Sequence, residues 1–94
     1  MEDSKISDEL SKLIEERLRT DPNELIKVII SLDENAELET ATRSLTNAGL
    51  DVESTIPGPV QVVAGFVAAN KIPELAKKSE VKKIEPDGKT YALG

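Results

Sequence analysis

The chain has 94 residues, about the length of one domain. Its 18 acidic and 12 basic residues give a net charge of −6, which argues against a nucleic acid as partner because phosphate binding needs clustered Lys and Arg. The absence of cysteine and histidine excludes disulfides, Cys/His zinc sites and His-dependent catalytic triads. With one Phe, one Tyr and no Trp, the core must be built from Ile, Leu, Val and Ala.

The N-terminus lacks the basic start and the apolar stretch of a secretory signal. No apolar run in the sequence approaches the length of a membrane span. We therefore expect a cytoplasmic protein that does not contact a membrane.

Ser7 is a good N-cap for an amphipathic helix over residues 7–19, in which the aliphatic residues fall on one stripe. Residues 1–24 are accordingly interpreted as an N-terminal helical extension.

The rest of the chain alternates between strand and helix patterns. Every second residue from Ile26 to Leu32 is aliphatic, which is typical of a strand with one buried face. Apolar residues then recur at helical spacing from Leu38 to Ala48, and Gly49 stands where a helix usually ends. The remaining predicted elements are strands over 51–56 and 60–68, joined by Pro57-Gly58-Pro59, a short helix over 72–78 and a strand over 81–85.

This order of elements predicts an α+β fold, the ferredoxin-like βαββαβ sandwich. In that arrangement an antiparallel sheet carries two helices on one face, and its first and third strands lie at the centre. We expect the sandwich over residues 25–87, followed by an extended C-terminal tail over residues 88–94. No metal and no cofactor are expected.

The second face of the predicted sheet is a candidate contact surface. If the first strand turns its aliphatic alternate residues toward the helices, Ile29 points away from them. The same reasoning for the third strand makes Val63 and Val67 point away, and the three residues form an apolar patch. The alternative is ordinary strand propensity, with the N-terminal helix lying over them. The residues of the third strand predicted to point inward are Val60, Val62, Ala64 and Phe66.

No residue pattern points to catalysis. The carboxylates sit in helix caps, turns and polar helix faces, and none has an apolar setting or a neighbouring nucleophile. Lysines at 77–78 and 82–83 form a small basic cluster that a solvated surface explains. An isolated glycine in a strand, such as Gly65, is typical of a bulge and not of a phosphate-binding loop. The sequence therefore favours a binding domain over an enzyme.

Two short motifs add a family resemblance. Gly65-Phe66-Val67-Ala68 lies in the third predicted strand, and Val81-Lys82-Lys83-Ile84-Glu85-Pro86-Asp87 contains the last one. Together, at this separation, they resemble the propeptide domain of subtilisin-like serine proteases, which also occurs as free-standing inhibitors. The resemblance covers about residues 25–94.

The resemblance implies a subtilisin-like serine protease as the partner of a chain that is monomeric when free. The open face of the sheet, with Ile29, Val63 and Val67, would pack on two surface helices of the protease. Glu85 and Asp87 would cap the N-termini of those helices, where carboxylates are favoured.

The C-terminal tail is implied to lie extended in the active-site cleft, as a bound product does. The family register places Leu93 in the main specificity pocket and Thr90 in the second apolar pocket. A register with Gly94 in the terminal position moves Tyr91 into the second pocket, and this alternative stays open. The tail residues implied to fill the cleft are Thr90, Tyr91, Ala92 and Leu93.

Two functions follow as expectations. The first is an inhibitor of a subtilisin-like serine protease, with an added role as folding chaperone left open. If 94 residues are the whole product, a free-standing inhibitor is favoured over a propeptide cut from a precursor. The alternative is a ferredoxin-like regulatory or oligomeric assembly module with no protease partner, because that fold serves many functions.

Overall fold

A computed structural model describes residues 5–87 and shows an α+β fold with a four-stranded antiparallel sheet and three helices. The first and third strands in chain order lie at the centre of the sheet, with the second strand beside the third and the fourth beside the first. Among residues 5–87, no helix is both long enough and apolar enough to cross a membrane. The elements are α1 (Asp8–Thr20), β1 (Leu25–Leu32), α2 (Leu38–Asn47), β2 (Asp51–Ile56), β3 (Val62–Ala68), a 3-10 turn (Ala69–Lys71), α3 (Ile72–Ala76) and β4 (Val81–Pro86).

The ends of the elements follow local chemistry. The Ser7 hydroxyl accepts a hydrogen bond from the Leu10 backbone N–H at 3.2 Å, which caps α1 as predicted. Gly49 has φ +114° just after α2, a conformation that glycine adopts without steric cost. Pro73 stands in the first turn of α3, where its missing N–H costs little. That helix ends at Ala76, two residues before the predicted end.

One face of the sheet forms the core together with all three helices. The β1 residues from Ile26 to Leu32 that point to this side are at most 2 % exposed. Across the β1–β3 pair, Ile26 lies opposite Val67 and Ile30 opposite Val63, so these valines share the covered face. Helices α2 and α3 complete this core, to which they contribute Leu45 and Leu75, among others.

The N-terminal segment joins both the sheet and the core. Ile6 forms a parallel bridge with Ile84, and the backbone N–H of Ile84 donates to the Lys5 carbonyl at 2.7 Å. The Lys5 ammonium in turn donates to the Lys78 carbonyl at 2.9 Å. Helix α1 packs into the same core as α2 and α3, so it does not lie over the open face of the sheet. The buried residues of α1 are Leu10, Leu13 and Ile14.

Candidate protein-binding face

The side of the sheet away from the helices is called the open face. Its centre is apolar, because Ile29 of β1 lies directly opposite Ala64 of β3 and beside the half-buried Phe66. At its rim, Leu25 and Ile56 are 57 % and 55 % exposed. The open face comprises Leu25, Lys27, Ile29 and Ser31 of β1, Val62, Ala64, Phe66 and Ala68 of β3, Asp51, Glu53, Ser54 and Ile56 of β2, and Lys83 and Glu85 of β4.

The structure corrects part of the predicted contact patch. Ile29 lies on the open face, as predicted, but Val63 and Val67 are fully buried in the core, so their assignment to the open face is wrong. The error arose because both alternate sets of β3 are apolar, and a one-residue shift exchanges the two faces of a strand. Pairing with β1 decides between the sets. Of the residues predicted to point inward, Val62, Ala64 and Phe66 lie on the open face instead, and Val60 precedes β3 and is 60 % exposed.

Lys27 is the central cation of the open face. Its ammonium lies 2.8 Å from Glu53 Oε1, 3.7 Å from Asp87 Oδ2 and 5.7 Å from the centre of the Phe66 ring. The hydrogen bond with Glu53 raises the pKa of Lys27 above its ordinary value, against an opposing effect of desolvation, and the Asp87 charge adds to the rise. The ammonium is thus matched by two carboxylates and an aromatic face.

A β-bulge brings Glu53 to this cluster. Val52 pairs with Gly65 and Ser54 pairs with Ala64, so Glu53 is an extra residue on β2. A Cβ built on Gly65 would collide with the Asp51 carbonyl oxygen, so only glycine lets the bulged strand approach this closely. The glycine of the resemblance motif therefore has a local structural reason.

The predicted helix-capping carboxylates lie toward the β4 side of the open face. Glu85 stands directly opposite Ile29, and its carboxylate is 2.9 Å from the Lys83 ammonium. Asp87 follows β4, and its backbone N–H donates to the Lys27 carbonyl at 3.0 Å. The predicted cleft residues Thr90, Tyr91, Ala92 and Leu93, with the terminal Gly94, lie outside the described residues.

Sequence reasoning missed Lys27 and Glu53 as members of the site. In the sequence, Lys27 is only a polar residue at an alternate position of a strand, and no local pattern distinguishes Glu53 from the other carboxylates. Gly65 was the available signal, because an isolated strand glycine indicates a bulge and a bulge redirects a side chain. It could not show which neighbouring strand carried the extra residue.

A cavity of about 400 Å³ on the helix side is lined by α2 residues, among them Arg43 and Ser44, and by Lys78. A shallow cavity of about 420 Å³ at one end of the open face is lined by Ser31, Val60, Lys82 and Lys83. Within residues 5–87, no three or more acidic side chains are grouped to hold a metal ion. Comparison of the chain with family models, with curated proteins and with solved structures finds no match. The open face is therefore the strongest candidate site.

Proposed function

We propose that the chain inhibits a subtilisin-like serine protease by packing its open face on the enzyme and placing its C-terminal tail in the active-site cleft. The observation that carries the proposal is the position of Asp87. This residue is joined to the centre of an apolar sheet face by the Lys27 ammonium and the Lys27 carbonyl, and the proposed tail follows it in the sequence.

The fold supports the same proposal. The order β2-β3-β1-β4, with every neighbouring pair antiparallel, agrees with the ferredoxin-like βαββαβ sandwich that the sequence predicts. We take the chain to have that fold, with α1 as an addition at the β4 side. Fold alone does not select a function, so the proposal depends on the face and the tail.

The apolar centre of the open face is the proposed contact surface. Ile29, Ala64 and Phe66 take the place of the originally predicted set, because Val63 and Val67 are in the core. Burying these half-exposed side chains against a partner removes apolar area from water, which is the main favourable term in association. The sheet presents them from two central strands, which makes the surface preorganised.

Glu85 and Asp87 supply the proposed charged contacts. Both carboxylates lie beside the apolar centre, and helix N-termini of a partner favour negative charge through their free N–H groups and dipole. Two parallel helices packed on the sheet could each present an N-terminus to one of them. The tail, residues 88–94, then pairs its backbone with cleft strands in a product-like pose.

The test is titration of the full chain against a subtilisin-like protease at neutral pH, with a second chain lacking residues 88–94. We expect the full chain to inhibit and the shortened chain to lose about 100-fold or more, since each 1.4 kcal/mol of lost contact is tenfold. Equal potency of the two chains contradicts the tail mechanism. Absence of inhibition contradicts the protease as partner.

One further variant decides the register of the tail. Removing Gly94 alone leaves inhibition intact if Leu93 occupies the specificity pocket. It weakens inhibition if Gly94 is the terminal pocket residue. The shortened chain would then end at Leu93, which lies one position away from the pocket in that register. Leu93→Asp is the matched change, and in the preferred register it should weaken inhibition strongly because it puts a charge into an apolar pocket.

A regulatory or assembly module is the second candidate, and the exposed Leu25 and Ile56 at the rim of the open face favour it. In this case a second copy covers the open face, and no subtilisin-like protease is affected. Sedimentation velocity over a range of concentrations separates the two. A monomer that inhibits supports the first function, and a stable oligomer without inhibition supports the second.

A further inference from the structure

A second β-bulge brings two lysines together on the outer side of β4. Ser31 pairs with Lys83 and Leu32 pairs with Val81, so Lys82 is an extra residue on β4. Regular alternation would turn the neighbour of an outward-pointing Lys83 toward the core, whereas both lysines are exposed. The bulge therefore keeps Lys82 out of the core and beside Lys83.

The two lysines line the cavity of about 420 Å³ at one end of the open face, together with Ser31 and Val60. We call this group of four residues the lysine end. Val60 is 60 % exposed and gives the cavity an apolar wall, and the Ser31 hydroxyl is a hydrogen-bond donor. Cations, a hydroxyl and an apolar wall suit an acidic side chain, which has an apolar stem and a carboxylate that accepts hydrogen bonds.

The two lysines differ in how their charges are balanced. The Lys83 ammonium lies 2.9 Å from the Glu85 carboxylate. Among residues 5–87, no carboxylate forms an ion pair with Lys82. A partner packed on the open face would remove water from Lys82, and a cation covered without a counter-ion is strongly destabilising. A partner that covers the lysine end is therefore expected to bring a carboxylate.

We propose that the lysine end binds an Asp or Glu side chain on the surface of the protein that packs on the open face, with Lys82 as its ion-pair partner. The inference rests on the proposed function for the identity of that protein, a subtilisin-like protease. The net charge of −6 and the neighbouring Glu85 argue against a polyanion, because its repeated charges would face the carboxylates of the chain. One carboxylate matches the one lysine of this end that has no ion pair.

Titration of a subtilisin-like protease with charge variants of the full chain tests the contact. Lys82→Gln should weaken inhibition by about 5- to 10-fold, and Lys82→Glu by about 100-fold, because the second change places like charges together. Lys82→Arg, which keeps the charge, should retain most of the potency. Both losses should shrink as the ionic strength rises from about 0.05 M to about 0.5 M, since salt screens the pair.

Lys77→Glu is the matched control, because it changes the net charge equally at an exposed lysine at the end of α3, on the helix side. It should alter inhibition by less than about twofold, and circular dichroism checks that each variant is folded. Equal effects of Lys77→Glu and Lys82→Glu overturn the proposal, since only net charge would then matter.

The carboxylate can also be located on the partner. Each surface Asp and Glu of the protease is changed to Lys in turn and tested against Lys82→Glu. One of these changes should restore inhibition by about tenfold, because it re-forms the pair with the charges exchanged. If no change restores it, the proposal is overturned.

The free chain tests the cavity without a protease, with glutarate as a small dicarboxylate probe. NMR signals of the Val60 methyl groups and the Lys82 ε-methylene should shift until they saturate, with sodium chloride at equal ionic strength as the control. Half-saturation should need about 2- to 5-fold more glutarate in Lys82→Gln and the same amount in Lys77→Gln. An unaltered chain that inhibits no protease contradicts the proposed function alone, and this titration then decides the inference. Absent shifts, or equal ones in the two variants, overturn it.

Discussion

The two faces of the sheet use the same strands for different purposes. On the covered face, β1 contributes only aliphatic side chains, and each is buried in the core that the sheet shares with the helices. On the open face, the same strand alternates Lys27, Ile29 and Ser31, all half-buried. Within residues 5–87, no buried residue is polar or charged, whereas the open face combines apolar contacts with a cation that two carboxylates neutralise.

This difference shows that an apolar residue on a strand is not necessarily part of the core. Ile29 and Ile30 are neighbours of identical type, and only Ile30 is sealed. The Lys27 charge is matched within the chain, so dehydrating the face leaves this cation paired. A face that is apolar at its centre and whose central cation is already paired is suited to a protein partner.

We expect the largest difference in stability between the two faces from two neighbouring substitutions on β1, Ile30→Ala and Ile29→Ala. Ile30→Ala leaves a cavity in the core and should lower the free energy of unfolding by about 3 kcal/mol. Ile29→Ala should lower it by about 1–2 kcal/mol, less than Ile30→Ala, because its side chain is only half-buried. Urea unfolding followed by circular dichroism measures both.

Under conditions where both variants stay folded, Ile29→Ala should weaken inhibition more than Ile30→Ala does. Ile29→Ala removes a contact with the partner, and Ile30→Ala does not touch it. On β3, Val63→Ala and Val62→Ala repeat the comparison and test the corrected register. If Val62→Ala were the more destabilising of the two, the assignment of faces on β3 would be wrong.

Helix α1 belongs to the covered face, which a second matched pair can establish. Leu10 is fully buried in the core, whereas Leu18 is 46 % exposed near the end of the same helix. We expect Leu10→Ala to cost about 2–4 kcal/mol of unfolding free energy and Leu18→Ala to stay within about 0.5 kcal/mol. Equal melting temperatures for the two variants would show that α1 contributes nothing to the core.

Gly65→Ala should disturb both faces at once by a smaller amount. The added methyl group meets the β2 backbone at Asp51, and β2 must move away or lose its bulge. Overpacking of this kind costs about 1–3 kcal/mol. Thermal unfolding measures the loss, and the Lys27–Glu53 contact should weaken with it. An unchanged melting temperature with an intact contact would mean that β2 shifts without cost.

Local patterns were sufficient to predict most elements of the fold. The bounds of β1 and β2 and the cap at Ser7 depend on residues close in sequence, so alternation and capping chemistry identified them. The face of β3 was not predictable in this way, since both of its alternate sets are apolar. Only the partner strand chooses between them.

The candidate site was predicted in part for the same reason. Ile29, Glu85 and Asp87 have local signals, namely alternation and the closing motif of the last strand. The Lys27 cluster joins residues from three strands that are far apart in sequence, so no local pattern contains it. Its one local trace was Gly65, which marks the bulge but not the side chain that the bulge redirects.

The smallest expected effects are pH-dependent changes in stability, which differ between the two sides of the sheet. On the helix side, Glu80 accepts hydrogen bonds from its own backbone amide and from the Ser44 hydroxyl, which lower its pKa below 4.5. A lowered folded pKa stabilises the protein above pH 4.5, and this contribution is lost as the pH falls through the folded value. Ser44→Ala should therefore reduce stability near neutral pH, by less than about 1 kcal/mol, and lose its effect in acid.

The open face should respond at the opposite end of the pH range. The pKa of Lys27 is raised above 10.5, chiefly by the hydrogen bond with Glu53, so its contribution is complete below that value and is lost as the pH rises through the folded pKa. Glu53→Gln should therefore lower stability at neutral pH and lose that effect in strong alkali, where Lys27 is neutral. Urea unfolding of both variants across the pH range measures this. A Glu53→Gln effect confined to acid would mean that Lys27 is not the group that Glu53 stabilises.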